Sequence, residues 1–512
     1  MERNAWQGGQ SGKETSIQRC MGAVCRGLSA DVDCECDDYR RCVRGTLQID
    51  TWLQFALKTQ RELQVDMSIA NIQIFEAHNA FNNRAYGSVY GAEDTCHWPP
   101  PYNDQCLGLA NHEFSIIDML NMGVRAVSID IWWCADAMRA AYLVTQFSIG
   151  CGQTNVLFSD VIAEIGQWLD QPGHGGELVK IQVDEKYDQG HDAEVNGPLE
   201  TYLGYDRILS PADLRELYGG VWPTLRRMRE DGKQVVVVGN PHRTHQGKYI
   251  HVSRCQSAGV NKFTPYPQCG GKTITNCRRY LSDATHFNIF HVFHDGPTRV
   301  GVITDLSEMV KCRINLPAID MVSPQLMETA VFTWAKGEPS LELDGDSCIM
   351  LSHIDHRWYT SPDCTRSCNY ACESSSNPEE WTVSERTGPY DVTQDQCPIG
   401  YKFSVPHNGY QQQKLVEAMG MTGSVWLNYS PWLPARFPTE AAPPPLTTSS
   451  ARTLAAPHTV MLLMITAMAM TMMMMMTSSV FELLSLPHVV VTSDLCHSSL
   501  CTHLLLEGNS DL

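Results

Sequence analysis

Short apolar runs alternate with amphipathic segments through most of the chain between residues 66 and 431. Runs with strand character lie at 71–77, 124–131, 177–184, 234–239, 286–292, 299–303, 317–322 and 424–428. Helical spacing of apolar residues is found at 113–122, 158–170, 211–218, 325–334 and 411–419. Near-continuous apolar runs, such as residues 235–238, are typical of strands buried in a parallel sheet. About eight strands that alternate with helices predict an α/β fold of the TIM-type (β/α)8 barrel class.

Polar residues that can take part in catalysis follow several of the predicted strands. His78 and Asn79 come directly after the first strand, Asp130 lies near the end of the second, and Asp184 ends the third. In β/α barrels the functional side chains come from the carboxyl ends of the strands. We therefore expect these four residues to share one pocket.

Composition changes several times along the chain and divides it into segments. We interpret these as a Cys-rich N-terminal segment (1–65), the barrel (66–431) with a Cys-rich insertion (334–400), a Pro/Ser/Thr stalk (432–458), a transmembrane helix (459–481) and a short tail (482–512). The stretch 459–481 carries no charge and would reach roughly 30 Å or more as a helix, enough to cross a bilayer. A lipid-anchor signal near Ser449 is the alternative interpretation of this region.

Charge and cysteine content narrow the possible environments. The formal net charge of −19, without a basic stripe, argues against a nucleic-acid partner. The chain has 20 cysteines but no CxxC pair, which predicts disulfides rather than structural zinc sites. We therefore expect a single-pass membrane protein whose barrel is extracellular or lumenal, although Met1–Gly9 lacks the apolar core of a signal peptide.

Three stretches together resemble a known family. His78-Asn79 after an apolar strand, followed by Ser115–Arg125 and Ser128–Asp130, is similar to the X-domain of phosphatidylinositol-specific phospholipase C. The likeness is closer to the secreted phospholipase C-like phosphodiesterases of fungi and other microbial eukaryotes, and it covers residues 66–430. The resemblance implies a TIM barrel that hydrolyses a phospholipid or a related phosphodiester at a membrane.

The resemblance also implies roles for the residues at the strand ends. Cleavage of a phosphodiester beside a hydroxyl group needs a base, an acid for the leaving oxygen and positive charge over the phosphate. His78 matches the first catalytic histidine of the family. Asn79, Asp130 and Asp184 match ligands of Ca2+ or, alternatively, Mg2+, with Glu185 as the substitute for Asp184.

The chain departs from the family pattern at two places. Ser128 stands where the family often has a carboxylate ligand, and the segment 138–143 lacks the second family histidine. In that segment Tyr142 is the candidate for the second catalytic residue, and Arg139 is the candidate for substrate binding. Other possible proton donors are His242, His291 and His294. The missing histidine leaves a second function open: a catalytically inactive barrel that binds lipid headgroups or glycans at the cell surface.

The stretch 334–372 resembles part of a C-type lectin domain. Segments below about 40 residues rarely fold alone without further support. We therefore expect this stretch to form a disulfide-pinned loop on the barrel.

Overall fold

The computed structural model describes part of the chain. The described residues are 32–37, 41–86, 110–141, 151–153, 155–185, 190–239, 248–252, 258–259, 265–269, 291–293, 304–340, 347–392 and 396–429. All of them belong to the first of two compact units, residues 1–434; the second unit is 435–512. The predicted stalk, transmembrane helix (459–481) and tail therefore lie outside the described residues. Within the described ranges, no helix has both the length and the apolar character that a membrane crossing requires.

Nine strands form the first sheet. They are β1 (Glu76–Ala77), β2 (Ala126–Cys134), β3 (Ala137–Ala140), β4 (Val179–Glu185), β5 (Val235–Gly239), β6 (Ile250–Val252), β7 (Ala258–Gly259), β8 (His291–Phe293) and β9 (Leu316–Ile319). The order across the sheet is β6-β5-β4-β2-β1-β9-β8-β7, and β3 pairs antiparallel with β2. Eight strands are thus parallel and follow one another in chain order around β1. The prediction of an α/β protein with a parallel sheet is confirmed.

Closure of this sheet into a barrel would require β6 to pair with β7. Within the part of the chain that the structure describes, β6 pairs with β5 and β7 pairs with β8, and β6 and β7 are not joined to each other. The closed TIM barrel therefore stays a prediction, as does the strand expected at 299–303, which lies outside the described residues.

Nine α-helices are described. They are α1 (Thr51–Glu62), α2 (Ile116–Asn121), α3 (Phe158–Leu169), α4 (Asp192–Pro198), α5 (Pro211–Tyr218), α6 (Leu225–Glu230), α7 (Ser307–Val310), α8 (Pro324–Thr329) and α9 (Gly409–Met419). The five predicted helices are present: the helix predicted at 211–218 has the predicted bounds, and the other four have shifted ends. Helix α2 begins at residue 116 because the Ser115 side chain accepts a hydrogen bond from the Asp118 N–H and caps the helix.

The two faces of β4 have different environments. Val179, Ile181 and Val183 are buried in one hydrophobic cluster with the apolar side of α3. The alternate residues Lys180 and Gln182 lie on the opposite face because successive side chains of a strand point to opposite sides. Lys180 and Gln182 thus lie on a polar face of the sheet.

A buried ion pair lies on the polar face. Glu76 in β1 and Lys180 in β4 are each in register with Ala126 of the intervening β2. The Lys180 Nζ atom is 3.2 Å from Glu76 Oε2 and 3.3 Å from Gln182 Oε1. The Lys180 and Glu76 side chains are 4% and 0% exposed. Burial lowers the pKa of Lys180, and the Glu76 charge opposes this effect.

Removal of one member of this pair should be costly. Lys180→Met leaves the Glu76 carboxylate buried without its ammonium partner, so we expect the free energy of unfolding to fall by about 3–5 kcal/mol. Denaturant titration followed by tryptophan fluorescence measures this change. The double variant Glu76→Met/Lys180→Met should recover most of the loss, because neither charge is then stranded. Equal losses in the single and double variants would contradict this account.

A second sheet is built from the C-terminal part of the described chain. Its strands are β10 (Cys348–Leu351), β11 (Trp358–Ser361), β12 (Asn369–Ser374), β13 (Trp381–Val383), β14 (Tyr401–Phe403) and β15 (Val425–Leu427). The order is β11-β10-β15-β12-β13, and β14 pairs with β12. Strand β15 is antiparallel to β10 and parallel to β12.

Two expectations about this region were wrong. The strand predicted at 424–428 forms, but it joins the second sheet rather than the parallel one, because its ladder partners are β10 and β12. The stretch 334–372 is not a loop: it contributes β10, β11 and part of β12 to a six-stranded sheet. The sequence pattern of a short strand does not show which strands it pairs with. Both errors have this cause.

Helix α1 is packed against the chain that follows α8. The Gln60 side chain accepts a hydrogen bond from the Phe332 N–H at 2.7 Å, and the Trp334 indole donates to Thr59 Oγ1 at 3.0 Å. The inward face of α1 is buried in the main hydrophobic cluster through Leu53, Ala56 and Leu57. Helix α1, which precedes the parallel sheet in the chain, is therefore part of the same core.

Five disulfides join described cysteines. They are Cys34–Cys42, Cys134–Cys151, Cys269–Cys312, Cys348–Cys364 and Cys372–Cys397. Disulfides of this number are typical of proteins that fold outside the cell or in a secretory lumen. The prediction of a disulfide-bonded protein is confirmed.

Candidate active site

A histidine–carboxylate pair lies at the centre of the parallel sheet. His78 follows β1 and Asp320 follows β9, and these strands are paired with Ala77 in register with Ile319. The His78 N–H donates to the Ile319 carbonyl at 3.0 Å, which extends the pairing to the strand ends. His78 Nδ1 is then 3.1 Å from Asp320 Oδ1, with the side chains 12% and 6% exposed. The strand register places these two residues next to each other at the strand ends.

Asn79 continues the turn that begins at His78. Its φ of 53° lies in the left-handed region, where Asn is tolerated better than most residues. The Asn79 N–H donates to Ser128 Oγ at 2.8 Å, and the Ala80 N–H donates to the Ser128 carbonyl at 3.0 Å. Ser128, which stands where the family often has a metal carboxylate, thus fixes the turn that carries the catalytic candidates.

The amide of Asn79 also touches the imidazole. Asn79 Nδ2 is 3.2 Å from His78 Nε2. A carboxylate only accepts hydrogen bonds, so Asp320 requires the proton of neutral His78 to be on Nδ1. Nε2 then carries the lone pair. The Asn79 amide nitrogen is also 3.5 Å from Nδ1, so it lies against the ring rather than along the Nε2 lone pair. The proton position follows from this hydrogen-bond network.

Asp130 and Asp184 lie beside each other at the next level of the sheet. Asp130 of β2 is in register with Asp184 of β4, two residues beyond the level of Ser128 and Gln182. Asp130 is buried. The backbone of Asp184 belongs to β4, and its side chain and that of Glu185 lie outside the described residues. Three of the four expected site residues, His78, Asn79 and Asp130, are therefore described at one edge of the sheet.

The donor chemistry at this edge suits Ca2+. Calcium binds six to eight oxygens from carboxylates, amide carbonyls and water, and Asn79, Asp130 and Asp184 are of these types. Among the described residues, however, no group of three His, Cys, Asp or Glu side chains is placed to hold a metal ion. The Ser128 hydroxyl is already bonded to the Asn79 N–H. Calcium binding stays a prediction.

The remaining candidates are less central. The Arg139 guanidinium donates to the carbonyls of Asn155 at 2.7 Å and Gln153 at 3.1 Å, so it secures the chain after β3, and its role in substrate binding stays a prediction. His291 is in register with Leu316, two residues before the level of Glu76, and thus lies toward the amino ends of the strands. Three candidates lie outside the described residues: Tyr142, His242 and His294.

Three polar residues of the site were not predicted. Asp320 directly follows β9. The predicted strand runs to residue 322, so it places Asp320 within the strand instead of at its carboxyl end. Asn111 donates to Asp320 Oδ1 at 2.7 Å, and His112 Nε2 is 2.7 Å from the His78 carbonyl. Both lie in a connecting segment without periodicity, so no sequence signal places them beside His78.

Comparisons with known proteins give distant matches. No protein-family model matches the chain. An uncharacterized protein of Mycobacterium tuberculosis is 22% identical over 411 residues, which cover 74% of this chain and 80% of that protein. The protein named maintenance of telomere capping protein 6 from Eremothecium gossypii is 25% identical over 189 residues, 34% of this chain and 41% of that protein.

Solved structures with some likeness include phospholipases. Phosphatidylinositol-specific phospholipase C from Listeria monocytogenes gives a TM-score of 0.35 at 12% identity and covers 54% of this chain and 97% of that chain. A variant of the same kind of enzyme from Staphylococcus aureus gives a TM-score of 0.35 at 9% identity, with 54% and 99% covered. TM-scores this low do not establish a shared fold, so the site is defined by this chain's own strand order and contacts.

The buried His112 makes stability depend on pH. Its side chain is fully buried, and burial lowers its pKa to about 4. An unfolded histidine has a pKa of about 6.5, so the folded chain binds fewer protons between these values. The stabilising contribution of neutral His112 is complete above about pH 6.5 and falls by about 3 kcal/mol as the pH drops through about 4.

Urea denaturation of His112→Gln and the native chain at about pH 7.5 and about pH 4.5 tests this sign. The variant should lose less stability on acidification than the native chain. His251, whose pKa burial also lowers to about 4, serves as the comparison, because His251→Gln should reduce the pH dependence in the same direction. An unchanged pH dependence in both variants would contradict the assignment.

Proposed function

We propose that this chain is a phosphoric diester hydrolase that cleaves a phospholipid or a related phosphodiester in which a hydroxyl group neighbours the phosphate. The observation that carries the proposal is the His78–Asp320 pair at the carboxyl ends of two adjacent parallel strands. Asp130 stands at the same edge of the sheet. This edge is where β/α barrels carry their active sites.

The pair supplies a base of defined geometry. Asp320 accepts from Nδ1–H of His78 and leaves the lone pair on Nε2, as in other histidine–carboxylate pairs. In the proposed reaction Nε2 removes the proton of the substrate hydroxyl, whose oxygen attacks phosphorus while the bond to the leaving oxygen breaks. Asp320 stabilises the imidazolium, which later returns its proton.

The leaving oxygen needs a proton from a second residue. Of the histidines that the structure describes, His112 is the one beside His78, and it is fully buried with Nε2 bonded to a main-chain carbonyl. The proposal assigns this role to Tyr142, which lies in the segment where the resembled family has its second histidine. Water then opens the cyclic phosphodiester with the acid and base roles reversed.

A bound cation completes the proposed site. Asn79, Asp130 and Asp184 would hold Ca2+, which would supply positive charge over the phosphate. The carboxylates of Asp130 and Asp320 make this edge of the sheet acidic. An anionic substrate therefore needs such compensation, and this electrostatic requirement supports the cation.

The disulfides indicate where the proposed enzyme is located. Five disulfides favour an extracellular or lumenal domain. We propose that 459–481 anchors this domain to the membrane that contains its substrate, and that the parallel sheet closes into a TIM barrel through β6 and β7. The chain-order arrangement of the eight parallel strands supports that closure.

A second candidate function is binding without turnover. The site has Ser128 in place of a carboxylate, with its hydroxyl committed to the Asn79 N–H. A barrel in this state would hold a lipid headgroup or a glycan at the cell surface. Vesicle co-sedimentation without release of product would favour this function.

Substitutions in the histidine–carboxylate pair should abolish turnover. The full chain is incubated with mixed phospholipid vesicles that contain phosphatidylinositol, and released phosphorylated headgroup is measured with Ca2+ or with EDTA. His78→Ala should lower the rate by about a hundred- to ten-thousandfold. Asp320→Asn keeps the shape of the side chain but removes its negative charge. This variant should lower the rate by about a hundredfold or more, because the imidazolium of His78 is no longer stabilised.

Asn315→Leu provides the matched control for these variants. Asn315 is buried beside the amino end of β9 and donates to the Asn71 carbonyl at 2.7 Å, far along the strand from Asp320. The folded Asn315→Leu variant should release headgroup at the native rate. Headgroup release that is equal for the native chain and His78→Ala would overturn the proposal, and insensitivity to EDTA would remove Ca2+ from it.

A further inference from the structure

The segment that contains Asn111 and His112 ties together the loops after β1 and β9. The Met321 N–H, directly after Asp320, donates to the Asn111 carbonyl at 2.7 Å. On the other side the His112 N–H donates to the Asn82 carbonyl at 3.2 Å. The two loops that carry His78 and Asp320 are thus bridged by one short stretch of main chain.

Side chains follow the same route as the main chain. Asn82 Nδ2 is 2.7 Å from Asn111 Oδ1, and Asn111 Nδ2 is 2.7 Å from Asp320 Oδ1. Asp320 Oδ1 is also the atom that faces His78 Nδ1 at 3.1 Å. Four side chains therefore form one chain of hydrogen bonds that ends on the imidazole. Asn82 and Asp320 are buried, so water does not readily replace these contacts.

The direction of each hydrogen bond in this chain is fixed by chemistry. The Asp320 carboxylate only accepts, so the Asn111 atom that faces it must be the amide nitrogen. The Asn111 oxygen then points to Asn82, which must present its own nitrogen. Reversal of either amide would place two acceptors, or two donors, against each other. The carboxylate thus sets the orientation of the Asn111 amide, and Asn111 sets that of Asn82. The Asn111 amide, held on its other side by Asn82, in turn restrains the carboxylate.

We propose that Asn82 and Asn111 are positioning residues that act through Asp320 to hold His78 as the Nδ1–H tautomer, with Nε2 directed at the substrate hydroxyl. The catalytic part of this inference rests on the proposed phosphodiesterase function; the tautomer does not. Loss of the Asn111 donor removes one of the contacts that hold Asp320 Oδ1, so the carboxylate is less firmly aligned with Nδ1. His78 then spends part of its time in orientations that cannot remove the substrate proton.

Kinetics test the positioning role. In the full chain, Asn111→Leu should lower kcat by about ten- to a hundredfold and leave KM within about twofold, because binding of the substrate does not use this amide. Asn82→Leu should give a smaller loss of the same kind. The double variant should lose about as much as Asn111→Leu alone, because the Asn82 amide reaches Asp320 by way of Asn111. Asn315→Leu is the matched control and should change neither constant.

A spectroscopic measurement tests the inference without any activity. Nitrogen-15 NMR of histidine-labelled protein at one fixed pH reports which ring nitrogen of His78 carries the proton, and His78→Gln assigns the signals. The native chain and Asn315→Leu should show the Nδ1–H form. Asn111→Leu and Asn82→Leu should show a mixture of the two tautomers. This result would stand even if no phosphodiester were cleaved, so the two proposals can fail separately.

Two outcomes would overturn the inference. One is an unchanged His78 tautomer in Asn111→Leu together with the same loss of unfolding free energy as in Asn315→Leu, which would make Asn111 a structural residue only. The other is strictly additive effects of Asn82→Leu and Asn111→Leu on kcat. If Asn111→Leu does not fold, the kinetic and NMR measurements are made on Asn82→Leu instead. A lower kcat with a mixture of His78 tautomers would support the inference, and an unchanged tautomer would overturn it.

Discussion

The parallel pairing of β1 with both of its neighbours is the constraint on which the site depends. Strand β1 has only two residues, Glu76 and Ala77, yet it pairs with β2 on one side and β9 on the other. Its register decides which side chains meet at the carboxyl ends. A slip by one residue would turn the His78 side chain to the opposite face of the sheet. The arrangement of the candidate site therefore depends on a very short ladder.

Two kinds of interaction hold that register. Below the site, the Glu76–Lys180 pair links β1 to β4 across β2, and such a buried pair tolerates little displacement of its partners. Above it, the Ser128 hydroxyl and carbonyl bind the turn at Asn79 and Ala80. Contacts to β2 and β4 thus hold the short strand at both ends. The same contacts hold the turn that carries His78 and Asn79.

The sequence is informative where periodicity is long. Helix α3 and strands β4 and β5 were predicted within one or two residues, because a 12-residue amphipathic pattern or a continuous apolar run has few alternative interpretations. Strands β6 and β7 have three and two residues, too few to show a period. The strand-end rule located His78 and Asp130 but needed an accurate strand boundary to locate Asp320.

Contacts between distant segments could not be predicted from the sequence. Asn111 reaches Asp320 across 209 positions, and nothing in the local pattern around either residue encodes that meeting. The same limitation explains why Val425–Leu427 was assigned to the wrong sheet: a strand pattern shows which residues alternate, whereas its partners depend on the whole topology.

The packing of α1 determines where the chain can be shortened. A fragment that begins at residue 66 would lack Thr59 and Gln60, the acceptors for the Trp334 indole and the Phe332 N–H. Each buried donor that loses its acceptor lowers the free energy of unfolding by about 1–3 kcal/mol. The apolar surface that Leu53 and Leu57 cover would also be exposed to water. Recombinant fragments intended for crystallisation or assay should therefore retain the N-terminal helix, whatever is removed from the other end.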